Sequence, residues 1–328
     1  MIDLFKDICQ ELKLGDLIMD PIKLSGGFTH KIYKVKTTSG NYAIKLLNPE
    51  IMKRSDAIDN FKLADQLEEK LLAAEIPIVP SLTFNNKKMQ CLSGQYYYVF
   101  MFIDGHTLKP EQIKEEHCSI IGKLLARIHK IESTNTDVQK SEINIDWNNY
   151  IDLARIKDPS IAEILEQHKD LLFESQATGN ESYKKLPHIS CITNSDMDCK
   201  NVLWNGSNPF VIDLECLNYG NPFLELYELA LCWCGYEECK IDFVLLKQFI
   251  SSYLNEYGKY QIDWNVLYHS NNSRLLWLEY NVKRALLLEC CDDDERLMGV
   301  EQVKETMKHI ENYYCVKEKL INTLSDLF

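Results

Sequence analysis

The stretch TNSDMDCKNVLW, which runs from Thr193 to Trp204, places Asp196 and Asn201 five residues apart in front of a short apolar run. In a helix, five residues turn about 140° past alignment, so the two side chains cannot share a helix face. In a fully extended chain they would lie roughly 17 Å apart. If the two act together, the stretch must be a loop that curls back between flanking strands.

A second polar group follows in FVIDLE, where Asp213 and Glu215 come at the end of an apolar segment. The intervening NGSN, which contains Gly206, is a strong hairpin signal. The sequence therefore predicts that Asn201 and Asp213 lie on neighbouring strands, near the open end of one hairpin. Asn201 and Asp213 would then face each other across that end.

Two carboxylates and an amide oxygen that converge in a cleft suit a hard cation. A carboxylate pair about 4 Å apart repels by about 4 kcal/mol at an effective dielectric constant of 20, and a divalent cation removes that repulsion. Mg²⁺ commonly binds one or two carboxylates together with substrate phosphates, and a separate Asp can take the proton of a hydroxyl nucleophile. Taken alone, however, an Asp and an Asn at this spacing occur by chance about once in a chain of this size, as loop caps.

Three other features upstream belong to the same constellation. Lys45 stands mid-strand in YAIKLL, where it is either a solvated side chain or a charge directed into a cleft. Gly26 and Gly27 fall in a turn between strands, where backbone amides can approach a phosphate, although a plain hairpin explains them equally well. The segment 57–74 has helical spacing and offers Asp65, Glu68 and Glu69 as possible partners for Lys45.

The composition limits the functional classes. The chain has 328 residues, of which 45% are hydrophobic, and a net charge of −13. Such an acidic chain is a poor candidate for non-specific binding to nucleic acid or to an anionic membrane. The sequence shows no signal peptide and no apolar run of about 18 residues, and its 12 cysteines are scattered. We expect a cytoplasmic protein with reduced thiols, as a monomer or a weak dimer.

The chain changes character after Asp104. Residues 1–104 alternate short strand patterns around one helix, including a strand pair separated by Ser93 and Gly94. Residues 105–328 are mostly helical, with helices expected at 146–156 and 159–184. The sequence thus predicts an α+β architecture, with a small antiparallel-sheet N-lobe, a larger helical C-lobe and a small-molecule site in the cleft between them.

The ordered set of a glycine-rich hairpin, AIK, an acid-bearing helix, SDMDCKNVLW and VIDLE resembles the aminoglycoside phosphotransferase and choline kinase group. This group has the bilobal protein-kinase-like fold. The resemblance runs from about Leu24 to Ala230, and the helical tail also fits. It implies a kinase that uses ATP and Mg²⁺ to phosphorylate a hydroxyl of a small-molecule acceptor.

The resemblance also implies roles for residues of the N-lobe. Lys45 would hold the α- and β-phosphates of the nucleotide, and Asp65 stands where the family places the acid that pairs with this lysine. FMFIDG resembles the hinge, where the backbones of Met101 and Ile103 would bond adenine. The backbone pattern of the hinge leaves the choice between ATP and GTP open.

In the catalytic region, the resemblance implies that Asp196 is the base and that Asn201 and Asp213 bind Mg²⁺. Three positions depart from the family pattern. Asn194 replaces a His, and we expect its amide to bond the loop backbone. Asp65 replaces a Glu, with Glu68 one turn along as a substitute. Finally, Glu225 or Glu228 stands in for an Asp of the segment that follows the metal carboxylate.

These departures leave a second hypothesis open, a nucleotide-binding pseudokinase or scaffold with weak or no turnover. The retention of the four polar residues Lys45, Asp196, Asn201 and Asp213 favours the enzyme. The sequence leaves the acceptor open among aminoglycoside-like antibiotics, amino alcohols and sugars. The negative net charge of the chain slightly favours a cationic acceptor.

Overall fold

The structure, a computed structural model, describes residues 2–24, 29–134 and 142–327. Gly26 and Gly27, which the sequence predicts to approach a phosphate, lie outside the described residues. In the part of the chain that is described, no helix is both long and apolar enough to cross a membrane.

The chain folds into two compact units. The first unit comprises Met1–Leu108 and Cys199–Asn218, and the second comprises Lys109–Asp198 and Tyr219–Phe328. The chain therefore leaves the first unit and later returns to it for about 20 residues. The lobe boundary predicted after Asp104 stays a prediction.

The first unit is built on a five-stranded antiparallel sheet with the strand order β1-β2-β3-β5-β4. The predicted helix at 57–74 and the predicted strand pair around Ser93 and Gly94 are both present. The elements of residues 2–108 are α1 (Ile2–Glu11), β1 (Ile22–Lys23), β2 (Lys31–Thr37), β3 (Gly40–Leu46), α2 (Pro49–Met52), α3 (Ala57–Ala73), β4 (Gln90–Leu92) and β5 (Gln95–Met101).

Side-chain alternation divides the sheet into two faces. Tyr33, Ile44 and Val99 point to one face, where they pack in a core with α1. Lys45 and Tyr98, each one residue along from a core position, are directly paired across β3 and β5 and so share the other face. The strand period of two thus brings the charge of Lys45 to the face opposite the α1 core.

The stretch 109–198 begins the second unit. Its elements are α4 (Glu115–Ile131), β6 (Ser133–Thr134), α5 (Trp147–Lys157), α6 (Pro159–Gln167), α7 (Lys169–Tyr183) and β7 (Ser190–Asn194). The single helix predicted over 159–184 is wrong, because the chain breaks at His168 into α6 and α7. The His168 ring nitrogen Nδ1 lies 2.7 Å from the Ile164 carbonyl oxygen, a group that a continuous helix would bond through its backbone.

Residues 199–218 return to the first unit as a hairpin of β8 (Val202–Asn205) and β9 (Asn208–Val211). Backbone hydrogen bonds attach both strands to the rest of this unit. The Val79 N–H donates to the Val211 carbonyl at 2.9 Å, and the Trp204 N–H donates to the His106 carbonyl at 2.8 Å. The hairpin is therefore fixed along both of its edges.

The remaining residues are mostly helical. After β10 (Leu217–Gly220), which joins β7 and β6 in a three-stranded sheet, come six helices. They are α8 (Pro222–Cys232), α9 (Phe243–Tyr257), α10 (Trp264–Ser270), α11 (Ser273–Ala285), α12 (Asp293–Cys315) and α13 (Lys317–Ser325). The predicted α+β class, with a sheet-rich N-terminal part and a helical C-terminal part, is confirmed.

Helices α4 and α9 approach each other closely at Gly122. A Cβ atom at this position would lie 2.5 Å from the Phe249 carbonyl oxygen and 3.3 Å from the Tyr253 backbone nitrogen. Because both groups are backbone of α9, neither can rotate away. The two helices must separate if any side chain is added.

We therefore predict that Gly122→Ala lowers the free energy of unfolding by about 1–3 kcal/mol through overpacking. This loss should appear although Ala is favoured over Gly by about 1 kcal/mol within a helix. Urea denaturation measures the effect. Lys123→Ala, an exposed change on the same helix, is the control and should stay within about 0.5 kcal/mol of the wild type. An equally stable Gly122→Ala variant would contradict the close approach.

Candidate active site

Lys45 is the centre of a charged cluster in the first unit. Its ammonium donates to Asp213 Oδ1 at 2.5 Å and also to the carboxylate of Glu215. The Lys45 side chain is only 5% exposed, against 21% for Asp213 and 20% for Glu215. A buried ammonium with two carboxylates is largely shielded from water, so its electrostatic attraction is stronger than that of a surface pair.

Asn201 directly precedes β8 and Asp213 follows β9, so the two lie just outside the strands on which the sequence predicts them. The Ile212 N–H donates to the Asn201 carbonyl at 2.9 Å, which closes the open end of the β8–β9 hairpin. Asp213 itself has φ 60° and ψ 62°, a left-handed conformation. Such a conformation costs about 1 kcal/mol or more for a residue other than glycine, and Asp is among the side chains that tolerate it best. Asn201 and Asp213 thus meet at one end of the hairpin.

His30 extends the cluster through Glu215. The Asn48 N–H donates to His30 Nδ1 at 2.8 Å, so the ring proton must lie on Nε2. Nε2 lies 3.2 Å from Glu215 Oε1 and donates to it. Burial favours the neutral acid of Glu215, but the charge of Lys45 and the His30 contact outweigh it and hold the pKa of Glu215 at about 2. The same carboxylates raise the pKa of Lys45, which stays charged.

Sequence reasoning assigned no role to His30 or Glu215. Glu215 had a visible signal, since it stands two residues after Asp213 in VIDLE. His30 had none, because its partner lies 185 positions along the chain, at Glu215.

The ion pair predicted between Lys45 and Asp65 does not form. Within the described residues, the Lys45 ammonium pairs with Asp213 and Glu215, whereas Asp65 Oδ1 accepts a hydrogen bond from the Tyr98 hydroxyl at 3.1 Å. The two hairpin carboxylates already balance the charge of Lys45, and Tyr98 stands beside Lys45 on the same sheet face. Asp65 still lines one small cavity with Lys45 and Asp213, so its role at a nucleotide stays a prediction.

Glu68, predicted as a substitute partner for Lys45, is also occupied. Its Oε1 accepts from the Lys88 ammonium at 2.7 Å and from the Ser81 N–H at 3.0 Å. Glu68 is only 4% exposed. Glu68 therefore connects α3 to the segment that leads into β4, and it does not pair with Lys45, whose partners are the acids beside the hairpin.

Burial raises the pKa of Asp65 to about 6, against the opposing effect of the Tyr98 hydrogen bond. When the pKa of an acid is higher in the folded state than in the unfolded state, the protein loses stability as the pH rises from the unfolded pKa to the folded pKa. We predict that Asp65→Asn, which removes this charge, gains about 1–3 kcal/mol of unfolding free energy relative to the wild type between pH 4 and pH 7.

Chemical denaturation at several pH values measures this gain. The control is Asp59→Asn on the same helix, where the side chain is 82% exposed and the difference from the wild type should hardly change with pH. A constant difference for Asp65→Asn as well would show that the Asp65 pKa is ordinary.

The predicted hinge lies at the end of β5. The Phe102 N–H donates to the Asn41 carbonyl at 3.0 Å, toward β3. Because backbone groups alternate sides along a strand, the N–H and C=O of Met101 point to the opposite edge. Met101 is 48% exposed. The roles of Met101 and Ile103 in adenine binding stay predictions.

Asp196 belongs to the second unit, on the loop that follows β7. The loop is fixed before and after Asp196. The Asn194 N–H donates to Glu225 Oε1 at 2.5 Å, and the indole N–H of Trp233 donates to the Met197 carbonyl at 3.0 Å. Both anchoring side chains come from α8 or its C-terminal end. Asp196 is partly exposed between them, so its carboxylate can reach a ligand.

Glu225, one of two candidates named by the sequence, is the acid that supports this loop. Its other oxygen lies 2.6 Å from His129 Nε2, and His129 Nδ1 lies 2.8 Å from the Tyr253 hydroxyl. His129 and Tyr253 are fully buried, and Glu225 is 3% exposed. The expectation for Asn194 is wrong: its side chain is buried, and neither amide atom has a hydrogen-bond partner within the described residues. Glu225 bonds the backbone of Asn194 instead.

We predict that Glu225→Gln lowers the free energy of unfolding by about 1–3 kcal/mol. An amide cannot accept from both Asn194 and His129. With its oxygen on the Asn194 N–H, its NH₂ group faces His129 Nε2, so the ring must change tautomer and reverse its bond with Tyr253 or lose a partner. Denaturation at pH 7 tests this. Glu256→Gln on α9, where the acid is 37% exposed and pairs with Lys130, should change the stability by less than about 0.5 kcal/mol. Equal effects of the two substitutions would contradict the network.

The first unit has a donor set that fits Mg²⁺. Asp213 and Glu215 already share one cation, the ammonium of Lys45, and Asn201 stands beside them on the hairpin. In the described residues, no group of three or more His, Cys, Asp or Glu side chains could hold a metal ion. Mg²⁺ does not need one, because it commonly binds one or two carboxylates and completes its shell with phosphate oxygens and water.

The chain is similar to proteins of known family and fold. Residues 21–265 match the model of the phosphotransferase enzyme family, abbreviated APH. A homoserine kinase from Methylobacillus flagellatus is 23% identical over 259 residues, which cover 76% of this chain and 75% of that protein.

The fold also resembles solved structures of kinases. A spectinomycin phosphotransferase, APH(9)-Ia, in complex with ADP and spectinomycin superposes with a TM-score of 0.67 at 15% identity, over 97% of this chain and 98% of that chain. An ethanolamine kinase from Plasmodium vivax superposes with a TM-score of 0.56 at 17% identity, over 88% and 81% of the two chains. At these identities, the likeness concerns the fold.

Proposed function

The chain belongs to the phosphotransferase enzyme family, and on that basis we propose that it is a small-molecule kinase that depends on ATP and Mg²⁺. It transfers the γ-phosphoryl group to a hydroxyl of its acceptor. The observation that carries this proposal is the cluster in which buried Lys45 pairs with Asp213 and Glu215. Such a cluster combines one fixed positive charge with oxygen ligands for a metal.

The first unit supplies the electrostatics. Lys45 places a permanent positive charge against the α- and β-phosphates of ATP, and its raised pKa keeps it protonated. Asn201 and Asp213, with Glu215 beside them, hold Mg²⁺, which neutralises charge on the phosphates when bound. Phosphoryl transfer needs little covalent participation of the protein, so catalysis rests on positioning and charge stabilisation.

The second unit supplies the base. Asp196 orients the acceptor hydroxyl and takes its proton on the carboxylate. The backbone bonds from Glu225 and Trp233 hold the Asp196 loop in place, so the carboxylate need not be ordered when the acceptor binds. This preorganisation lowers the entropic part of the barrier.

The acceptor we propose is an alcohol that also carries an amine. The similar proteins are named for spectinomycin, ethanolamine and homoserine, each of which has both a hydroxyl and an amino group. The net charge of −13 suits a cationic acceptor. Amino alcohols, homoserine and aminoglycoside-type antibiotics therefore form the first panel of acceptors.

The test measures ADP release with Mg·ATP and this panel. We predict that Asp196→Asn lowers kcat by about a thousandfold or more, because general-base and positioning effects of this kind contribute about 10²–10⁴-fold. ATP affinity should change by less than about threefold, since Asp196 acts on the acceptor. Asp152→Asn, an exposed change in the same unit, is the matched control and should keep full activity.

Two outcomes would contradict the proposal. Full turnover by Asp196→Asn would remove Asp196 as the base. Saturable, Mg²⁺-dependent binding of ATP with no product from any acceptor would favour a nucleotide-binding scaffold. The structural observation in favour of a scaffold is the buried amide of Asn194, which has no hydrogen-bond partner among the described residues.

A further inference from the structure

The second unit contains a pocket of about 350 Å³ that the proposed chemistry does not use. Its walls come from α7, α10, the start of α11 and the junction of α12 and α13. The volume lies in the range of sites that bind small molecules. Asp196 is not among the residues that line it.

Helix α8 contacts both the Asp196 loop and the wall of this pocket. On one side of α8, Glu225 bonds the Asn194 backbone. Two residues along, the Tyr227 hydroxyl lies 2.9 Å from the hydroxyl of Tyr313, a residue of the pocket wall. Positions two apart on a helix point about 200° apart, which is nearly opposite. Glu228, one turn from Glu225, also reaches the pocket wall through Asn271. What sets the pocket apart is its lining, which does not include Asp196.

Arg274 contributes a positively charged guanidinium to the pocket wall. Its guanidinium lies 3.8 Å from the ring centroid of Tyr236 and 4.2 Å from that of Tyr313. With the Asn271 amide oriented so that its oxygen faces Arg274, that oxygen accepts from the guanidinium at 2.6 and 3.2 Å, and the amide nitrogen donates to Glu228 at 3.0 Å. Among the described residues, these three partners of Arg274 are all neutral.

Arg274 has no counter-ion among the described residues. It forms no ion pair with them, and its Nε is buried without a hydrogen-bond partner there. The Arg274 side chain is partly buried, and charges that are removed from water are normally paired, because an unpaired one is costly. A guanidinium is also rigid and offers donors that match a carboxylate or phosphate. An incoming oxyanion would supply the missing charge.

The start of α11 adds an independent signal. The first turn of this 13-residue helix contains Arg274 and no acidic residue, and the Asn272 side chain at the N-cap does not cap it. Helix N-termini favour negative charge, and uncapped N–H groups there can bond an anion. Asn272 and Arg274 both line the pocket.

The other lining residues restrict the ligand further. Tyr268, Leu275 and Ile310 provide an apolar wall. Two acids, Glu174 and Glu318, line the pocket with exposed side chains and would repel a second negative group outside. The pocket therefore suits a molecule with one anionic head and an apolar or aromatic body.

We propose that this pocket is a second ligand site, which binds a small aromatic or apolar molecule through one carboxylate or phosphoryl group held by Arg274. The head group bonds the guanidinium and the start of α11, and the body packs on the tyrosines and aliphatic side chains. The site requires neither nucleotide nor acceptor, so it stands apart from the proposed phosphoryl transfer.

Isothermal titration calorimetry with phenyl phosphate as the probe tests the proposal. These titrations use the full-length wild-type protein with saturating Mg·ADP, so that the phosphate-binding part of the proposed nucleotide site is already occupied. We expect one saturable site. Phenol, which has the same ring without the anion, should bind at least tenfold more weakly, since a charge-assisted hydrogen bond contributes about that much.

Substitutions locate the site. Under the same conditions, Arg274→Met should weaken phenyl phosphate at least tenfold, whereas Arg274→Lys should lose less. Arg155→Met, at an exposed arginine of the same unit, should bind within about twofold of the wild type. If Arg274→Met does not fold, Arg274→Lys and Lys317→Met, at a lysine in the pocket wall, take its place and should each weaken binding about threefold or more.

Several results would overturn the proposal. They are the absence of saturable binding, equal affinity for phenol and phenyl phosphate, and affinity that the pocket substitutions leave unchanged.

Discussion

The pairing of the Lys45 ammonium with Asp213 and Glu215 is the interaction on which the architecture of the first unit depends. It connects the middle of the five-stranded sheet to a hairpin that lies more than 150 positions along the chain. The connection holds because both edges of the hairpin are also bonded to the unit through the backbone. A buried lysine without these acids would destabilise the folded state, because its charge would have no partner. The return of residues 199–218 to the first unit therefore also supplies the negative charge that Lys45 needs.

In the second unit, buried side chains support the loop that contains the partly exposed Asp196. Glu225 bonds the backbone ahead of Asp196, and His129 and Tyr253 in turn bond or orient Glu225. A buried carboxylate is stable only when its oxygens have donors, and here it has two. The same helix presents Tyr227 on its opposite side, so α8 is a wall shared by the Asp196 loop and the Arg274 pocket.

Local patterns predicted much of this. The period-two alternation around Lys45, the NGSN turn and the helical spacing over 57–74 each require only neighbouring residues, and the elements they predict are present. Predictions that depended on which distant groups meet were less successful. Asp65 and Glu68 were reasonable partners for Lys45, yet Tyr98, Ser81 and Lys88 bond them instead. The break at His168 was missed because both sides of it have helical spacing.

The sequence by itself determined the family, the α+β class and the polar residues that carry the proposed chemistry, because spacing and order are properties of the chain. Only the tertiary structure decided the partners: Glu215 and His30 at Lys45, Glu225 rather than Glu228 beneath the Asp196 loop, and at Arg274 no counter-ion among the described residues. Charge pairing and burial depend on distances between residues that are far apart in the chain. Those distances exist only once the chain has folded.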